Sequence, residues 1–250
     1  MLFLDLIIQG LLQGSIYGLI AVGLTLVYGL LRILHVAHAG LFTHGGYICV
    51  IVTNQTSSFL LAVLTSMILV GLAGMIIYRI CYQPILDQPP FVPLIASIGL
   101  FIAMEELLRI FFGAYGLSFT ELPLQEALAL MQTNLKQAEW ITIASSIGFV
   151  AMLAFLANRT KGLAWKATGT DPEIASSFGV NIIQVRYLNF YIGSSLAAVS
   201  GCMMAVLNNL VEPTMGSVPS YKMLAIIMLG GLGNVRETLI AAVLLGIIEF

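Results

Sequence analysis

The chain alternates between long apolar runs and short polar connections, and the runs have the length of membrane spans. A transmembrane helix needs about 20 mostly apolar residues, and residues 7–31, 59–78, 93–112, 140–157 and 188–210 each supply such a run. Two further runs are shorter or interrupted: residues 39–52, and residues 223–250, where Gly230, Gly231, Gly233 and Asn234 break the pattern. The periodicity thus predicts an all-α, polytopic membrane helical bundle with about seven membrane segments in a single transmembrane domain over residues 1–250.

Lys and Arg orient the spans, because cytoplasmic connections are enriched in them. Residues 158–187 carry Arg159, Lys161, Lys166 and Arg186 and are expected in the cytoplasm. Residues 113–139 carry Glu121, Glu126 and Glu139 against one cation, Lys136, and are expected outside. Counting back puts Arg79 and Arg32 inside and the N-terminus outside. No Lys or Arg precedes the first apolar run, so the N-terminus lacks the basic region of a signal peptide and is read as retained.

Composition explains why so few polar residues suffice. Of 250 residues, 59% are hydrophobic and 9% charged, and the mean hydropathy is +1.00. A soluble domain carries roughly 25% charged residues, so this surface faces lipid. The net charge of −2 leaves no basic footprint for nucleic acid. Cys49, Cys81 and Cys202 are scattered in apolar surroundings and read as buried free thiols.

Several constellations are candidates for chemistry. His35, His38 and His44 could converge on a metal. No Cys, Asp or Glu completes the set locally and Arg32 opposes a cation, so a packed or interfacial role is preferred and no metal is expected. Glu105, Glu106 and Arg109 lie near the predicted outer end of a span, either as an interfacial ion pair or as part of a transport path. Gly10, Gly14 and Gly18, and later Gly193, Ala197, Gly201 and Ala205, form small-residue seams suited to close helix packing. No nucleophile elbow, phosphate loop or dinucleotide fingerprint occurs, so no catalytic residue is assigned.

Two glycine-interrupted segments stand out, one in each half. The first is residues 29–47, which hold His38, Gly40, Gly45, Gly46 and Tyr47; the second is residues 230–237, which hold Gly230, Gly231, Gly233 and Asn234. Broken helices at membrane depth line cavities or lie buried in protein, and paired breaks in transporters point to the substrate path; packing kinks are the alternative. Residues 223–235 then form either a short full span with Arg236 in the cytoplasm or a re-entrant segment with Arg236 in a polar cavity. In the cytoplasmic connection, residues 171–179 read as a short helix. Asp171 caps it, Pro172 fits its first turn, Glu173 complements the dipole and Gly179 ends it. Ile174, Ala175 and Phe178 are expected to form a greasy stripe on it, without a membrane span to bury it.

These residues carry a family resemblance. The loop Lys166-Ala-Thr-Gly-Thr-Asp171-Pro172-Glu173-Ile-Ala175-Ser-Ser-Phe178-Gly179-Val180-Asn181 resembles the A-x-x-x-D-x-E-A-A-x-x-x-G-[IV]-[ND] pattern of ABC importer permeases. Gly14-Ser-Ile-Tyr17-Gly18 through Tyr28-Gly29, Ala37-His38 with Gly45-Gly46-Tyr47, and Leu229-Gly-Gly-Leu-Gly-Asn234 are similar to segments of the branched-chain amino acid type. The chain departs from that pattern at His35, Ala39, Gly40, Ile174, Ser176 and Glu237. The resemblance implies a permease subunit that works by alternating access in a bacterial or archaeal plasma (inner) membrane. It implies a paired permease subunit, two cytoplasmic ABC ATPases and an extracytoplasmic solute-binding protein. ATP would be used by the ATPases, with no cofactor on this chain. Asp171, Glu173, Ile174, Ala175, Phe178 and Gly179 would couple to the ATPase. Family members continue for one more segment beyond the position of Phe250, so an eighth is expected in the full-length chain. The competing classes are an ion-coupled secondary carrier or channel, which needs ionisable groups at the bilayer midplane, and an intramembrane enzyme, which would rest on the histidines alone.

Overall fold

A computed structural model describes residues 2–125, 127–130, 133–157 and 160–249. Ten helices account for most of them: α1 Leu2–Leu31, α2 His38–Thr56, α3 Phe59–Ile77, α4 Phe91–Phe112, α5 Gln137–Ala157, α6 Thr160–Thr170, α7 Pro172–Ser177, α8 Ile182–Asn208, α9 Ser217–Leu229 and α10 Val235–Ile248. A small antiparallel hairpin, β1 Ala127–Leu130 and β2 Thr133–Lys136, lies in the connection before α5, with Ala127 opposite Lys136. Four helices are long and apolar enough to cross a membrane by length and composition. The chain is a multi-pass, all-α membrane bundle.

α1 and α8 form the centre. In each, 78% of the most apolar stretch is buried, against 33% in the α3 span and 22% in α4. The two run antiparallel: Ser200 Oγ donates to Ile16 O at 2.9 Å and Asn189 Nδ2 to Leu26 O at 2.7 Å, with Gly23 against Gly193 between them. Small polar side chains satisfied by a neighbour's backbone are the usual glue between helices in lipid. The outer helices turn unpartnered apolar stripes outward. On α3, Leu60, Leu64, Ile68, Leu72 and Ile76 are exposed at four-residue intervals, the stripe a lipid-facing helix presents.

The architecture is an inverted repeat. α1 and α8 each end in a left-handed residue, Arg32 and Asn209, both at φ 54°. Each then runs on without α-helix, through residues 33–37 and 210–216, before a new helix begins, α2 or α9. α3 then packs on α8, and α10 on α1. A shift of 177 residues, the separation of Arg32 and Asn209, carries the Ile16–Ser200 pair onto the Gly23–Gly193 pair. The same shift carries Ala39 onto Gly216, and these two touch: a Cβ on Gly216 would lie 2.5 Å from Ala39 O. Antiparallel elements exchanged this way imply a pseudo-two-fold axis lying across the helices, in the membrane plane.

The last apolar run is interrupted where the sequence places the break, and it forms a pair of helices, α9 and α10, joined by Gly230–Asn234. Gly231 and Gly233 there have φ of +84° and +92°, left-handed values that a side chain resists, so the chain reverses. The first break falls inside the expected segment, residues 29–47, but not at Gly40, Gly45 and Gly46. α2 runs unbroken through all three, and the non-helical stretch precedes it at residues 32–37. Buried glycine in a helix serves close approach instead: a Cβ on Gly45 would sit 2.7 Å from Ala198 O of α8.

The connection after α4 is pinned to the bundle. Leu117 and Val211 exchange backbone hydrogen bonds at 2.9 Å, and the Asn54 side chain holds Ser118 O at 3.0 Å and Thr120 N at 2.9 Å. The ends of α2, α4 and α8 therefore share one face, as the Lys/Arg count requires.

Candidate functional site

The segment between α1 and α2 re-enters the bundle, so its freed backbone groups need partners at depth. Ala37 N donates to Ser97 Oγ of α4 at 3.0 Å, and a turn closes through His38 N to His35 O at 3.1 Å. Ile33, His35 and Ala37 are buried along it. His35 Nδ1 lies 2.6 Å from Tyr82 OH, and its ring sits among His38, Tyr82 and Phe190 at centroid distances of 5.0–5.7 Å. His38 opens α2 at the α1–α8 crossing, where a Cβ on Gly23 would meet its Nε2 at 2.7 Å. The Ile20 backbone faces the His38 ring, yet neither ring nitrogen makes a hydrogen bond of ordinary geometry, and His35 Nε2 is also unpaired. Among the described residues these three buried imidazole nitrogens have no hydrogen-bond partner of ordinary geometry, which is costly. His44 is apart from them, its Nδ1 turned to Gly40 O at 2.9 Å on its own helix. Among the described residues no group of three His, Cys, Asp or Glu could hold a metal.

The remaining expected path residues fall at two depths. Gly45 and Gly46 pack on the middle of α8, against Ala198 and Gly201. Tyr47 is buried beside them, its hydroxyl unpaired and its ring 5.0 Å from that of Phe112. Gly230, Gly231, Gly233 and Asn234 lie at the opposite end of α1: Gly233 abuts Gly29, and Asn234 caps α10 by accepting from Arg236 N at 3.2 Å. The fold does not gather the two sets into one pocket. Arg236 is exposed just past the turn, at the Gly29 end of α1, and α9, with 13 residues, is shorter than the roughly 20 residues of a full span.

Residues 171–179 form α7 with the expected caps. Asp171 Oδ1 accepts from Ile174 N at 3.0 Å, and Gly179 has a φ of +83°. Glu173 lies in its first turn. The stripe is narrower than expected. Ile174 and Phe178 are 57% and 84% exposed, but Ala175 is 2% exposed, because α7 rests on α6 and α8. α6 joins α7 to the core: a Cβ on Gly169 would meet Gly29 O at 2.8 Å. Gly29 is thus touched by the α6 arm and by the α9–α10 turn at once. Residues 158 and 159, with Arg159, lie outside the described residues, as do the Lys161 and Lys166 side chains.

A polar cluster on α1, α9 and α10 escaped the linear reading. Lys222 Nζ donates to Tyr17 OH at 2.6 Å and pairs with Glu249; Gln13 Nε2 donates to the same hydroxyl at 2.8 Å. The only signal in the sequence was a lone lysine inside an apolar run. Arg109 reaches both neighbouring carboxylates, Glu106 at 2.6 Å and Glu105 at 3.2 Å.

Known proteins support the same reading. The high-affinity branched-chain amino acid transport system permease protein LivH of Salmonella typhimurium is 27% identical over 266 residues, covering 99% of this chain and 85% of the relative. The corresponding protein BraD of Pseudomonas aeruginosa is 25% identical over 261 residues, with the same coverage. LivM of Salmonella typhimurium, also such a permease protein, is 24% identical over 92% of this chain and 60% of its own length. No solved structure matches the chain at a significant level. The model of the family described as branched-chain amino acid transport system, permease component, matches residues 6–250, and the chain belongs to that family.

Proposed function

We propose that this chain is the membrane permease subunit of an ATP-driven ABC importer for branched-chain or related amino acids. It pairs with a second permease, receives two cytoplasmic ATPases and takes substrate from an extracytoplasmic binding protein in the plasma (inner) membrane. The chain itself hydrolyses nothing, and ATP is consumed by the partners. The observation that carries this reading is α7: a capped helix of six residues that holds Phe178 and Ile174 out into solvent while α6 ties it to Gly29. An apolar stripe presented on a rigid arm fits a groove on another subunit, and movement there reaches both the α1 end and the α9–α10 turn. Asp171 and Gly179 set the geometry; Ile174, Phe178 and Glu173 make the contact; Ala175 anchors the helix from below. Alternating access follows if the two halves of the inverted repeat rock about the His38–Gly23–Gly193 crossing, exposing the unpaired imidazoles to substrate.

A secondary carrier has one observation in its favour, the ionisable Lys222–Glu249 pair beside α1. It leaves α7 unexplained. The test is uptake of labelled leucine into proteoliposomes holding the complete complex. Uptake should need ATP on the α7 side and fall in Phe178→Ala with ATPase stimulation by the binding protein. Uptake driven by an ion gradient in the absence of the ATPases would refute the ABC reading.

A further inference from the structure

The geometry points to Lys222 and Glu249 as a zwitterion subsite, the place where the α-carboxylate and α-ammonium of an amino acid are read in transit. This rests on the proposed function and deepens it. α1 has 30 residues, about 45 Å at 1.5 Å per residue, and Tyr17 stands midway along it. The ammonium hydrogen-bonded to Tyr17 OH, at 4.7 Å from the Tyr17 ring centroid, lies level with Gln13, which bonds the same hydroxyl, about one turn from the middle of the span and within its apolar length. A charge there is costly unless paired, and such residues mark substrate paths.

Two further features mark the cluster as a path. It is not sealed by the described residues: the Lys222 and Glu249 side chains keep 15% and 36% of their exposure. A polar ladder also leads to it. Gln9, Gln13 and Tyr17 recur every four residues on α1, so they share one face, and they pass from exposed through half-buried to buried toward Lys222.

The chemistry selects the ligand. Lys222 offers a cation with three donors and Glu249 an anion. An amino acid carries the same two charges on one carbon, so its carboxylate can replace Glu249 on Lys222 while its ammonium meets Glu249. Both charges stay compensated at every stage, which a lone anion or cation could not achieve. Tyr17 OH and the Gln13 amide supply the remaining hydrogen bonds.

The test uses the full complex in proteoliposomes, with enclosed ATP and labelled leucine. Lys222→Met and Glu249→Gln should each lower uptake about tenfold, the scale of one lost charge-assisted contact, with partner subunits still co-purifying. A single change also leaves an uncompensated charge, so the deciding variant is the neutral pair Lys222→Met/Glu249→Gln, which removes that penalty. Continued loss in the double variant, together with a raised KM in Gln13→Met, supports the subsite. Recovery of the double variant to about half of wild-type uptake would make the pair a structural ion pair and overturn the proposal. Glu106→Gln, outside the cluster, should transport normally. Wild-type complex that imports leucine alongside a recovered double variant refutes the subsite alone. ATP-driven import of urea or a neutral amide but of no amino acid also refutes it and leaves the permease intact. Absence of any ATP-driven uptake removes both.

Discussion

Replacing Gly45 with alanine adds one methyl group at the tightest crossing in the centre of the molecule. The new Cβ would lie 2.7 Å from Ala198 O and 3.0 Å from Ala198 C, both backbone atoms of α8. An ordinary carbon contact is about 3.5–4.0 Å, so α2 and α8 must part by roughly 1 Å, and neither can yield by turning a side chain. The separation also stretches bonds that converge on Gly45 O, from Ser66 Oγ at 3.2 Å and from Cys202 Sγ at 3.5 Å. A gap of that size forfeits a quarter to a half of each dispersion well along the seam. Together with overpacking strain of about 1–3 kcal/mol, the expected loss is about 2–4 kcal/mol. Gly99 on α4 and Gly148 on α5 provide the control, since nothing lies within 4 Å of a Cβ at either. There alanine should be neutral, or stabilising by about 0.5–1 kcal/mol through helix propensity. Thermal unfolding of the purified subunit in one detergent, with all three variants side by side, reads the difference. Equal midpoints for Gly45→Ala and Gly99→Ala would refute the claim that backbone contact across this crossing holds the bundle.

Other expectations follow from the same geometry. Gly14→Leu should destabilise by about 1–3 kcal/mol, because a Cβ there already sits 3.0 Å from Val243 Cα; normal assembly and transport would place that face toward lipid. In a cysteine-free background, Tyr115→Cys and Ser177→Cys should react with impermeant thiol reagents from opposite sides of sealed vesicles, and same-side labelling would overturn the topology. His38→Leu removes two unpaired buried nitrogens, so the unfolding midpoint should hold or rise while uptake falls. A variant that loses stability and keeps transport would mean that the ring is packing and nothing more.

The apolar runs and the caps were legible in the sequence because each is a local quantity. Hydropathy over some 20 residues decides whether a segment enters lipid, and an Asp or Asn two or three positions ahead of a free backbone N–H decides where a helix starts. Asp171 before α7 and Asn234 before α10 do that. Gly10 and Gly14 could be read as a seam because their spacing is enough to put them on one face. What faces that seam was not legible, since α10 lies more than 200 residues away. Nor was the exact place of the break within residues 29–47. Gly45 and Gly46 look like helix breakers along the chain, yet opposite Ala198 and Gly201 they are what lets two helices touch, and the true interruption falls at 32–37, where the inverted repeat turns the chain back into the bundle. Ala175 reads as part of an exposed stripe until α6 and α8 are placed beneath it. Lys222 is the clearest case. Its partner hydroxyl on Tyr17 is 205 residues distant, and only the return of α9 and α10 along α1 brings the ammonium, the hydroxyl and Glu249 to one depth. Local chemistry settles what each segment is; the burial and partners of a polar group depend on which distant segment the fold lays beside it.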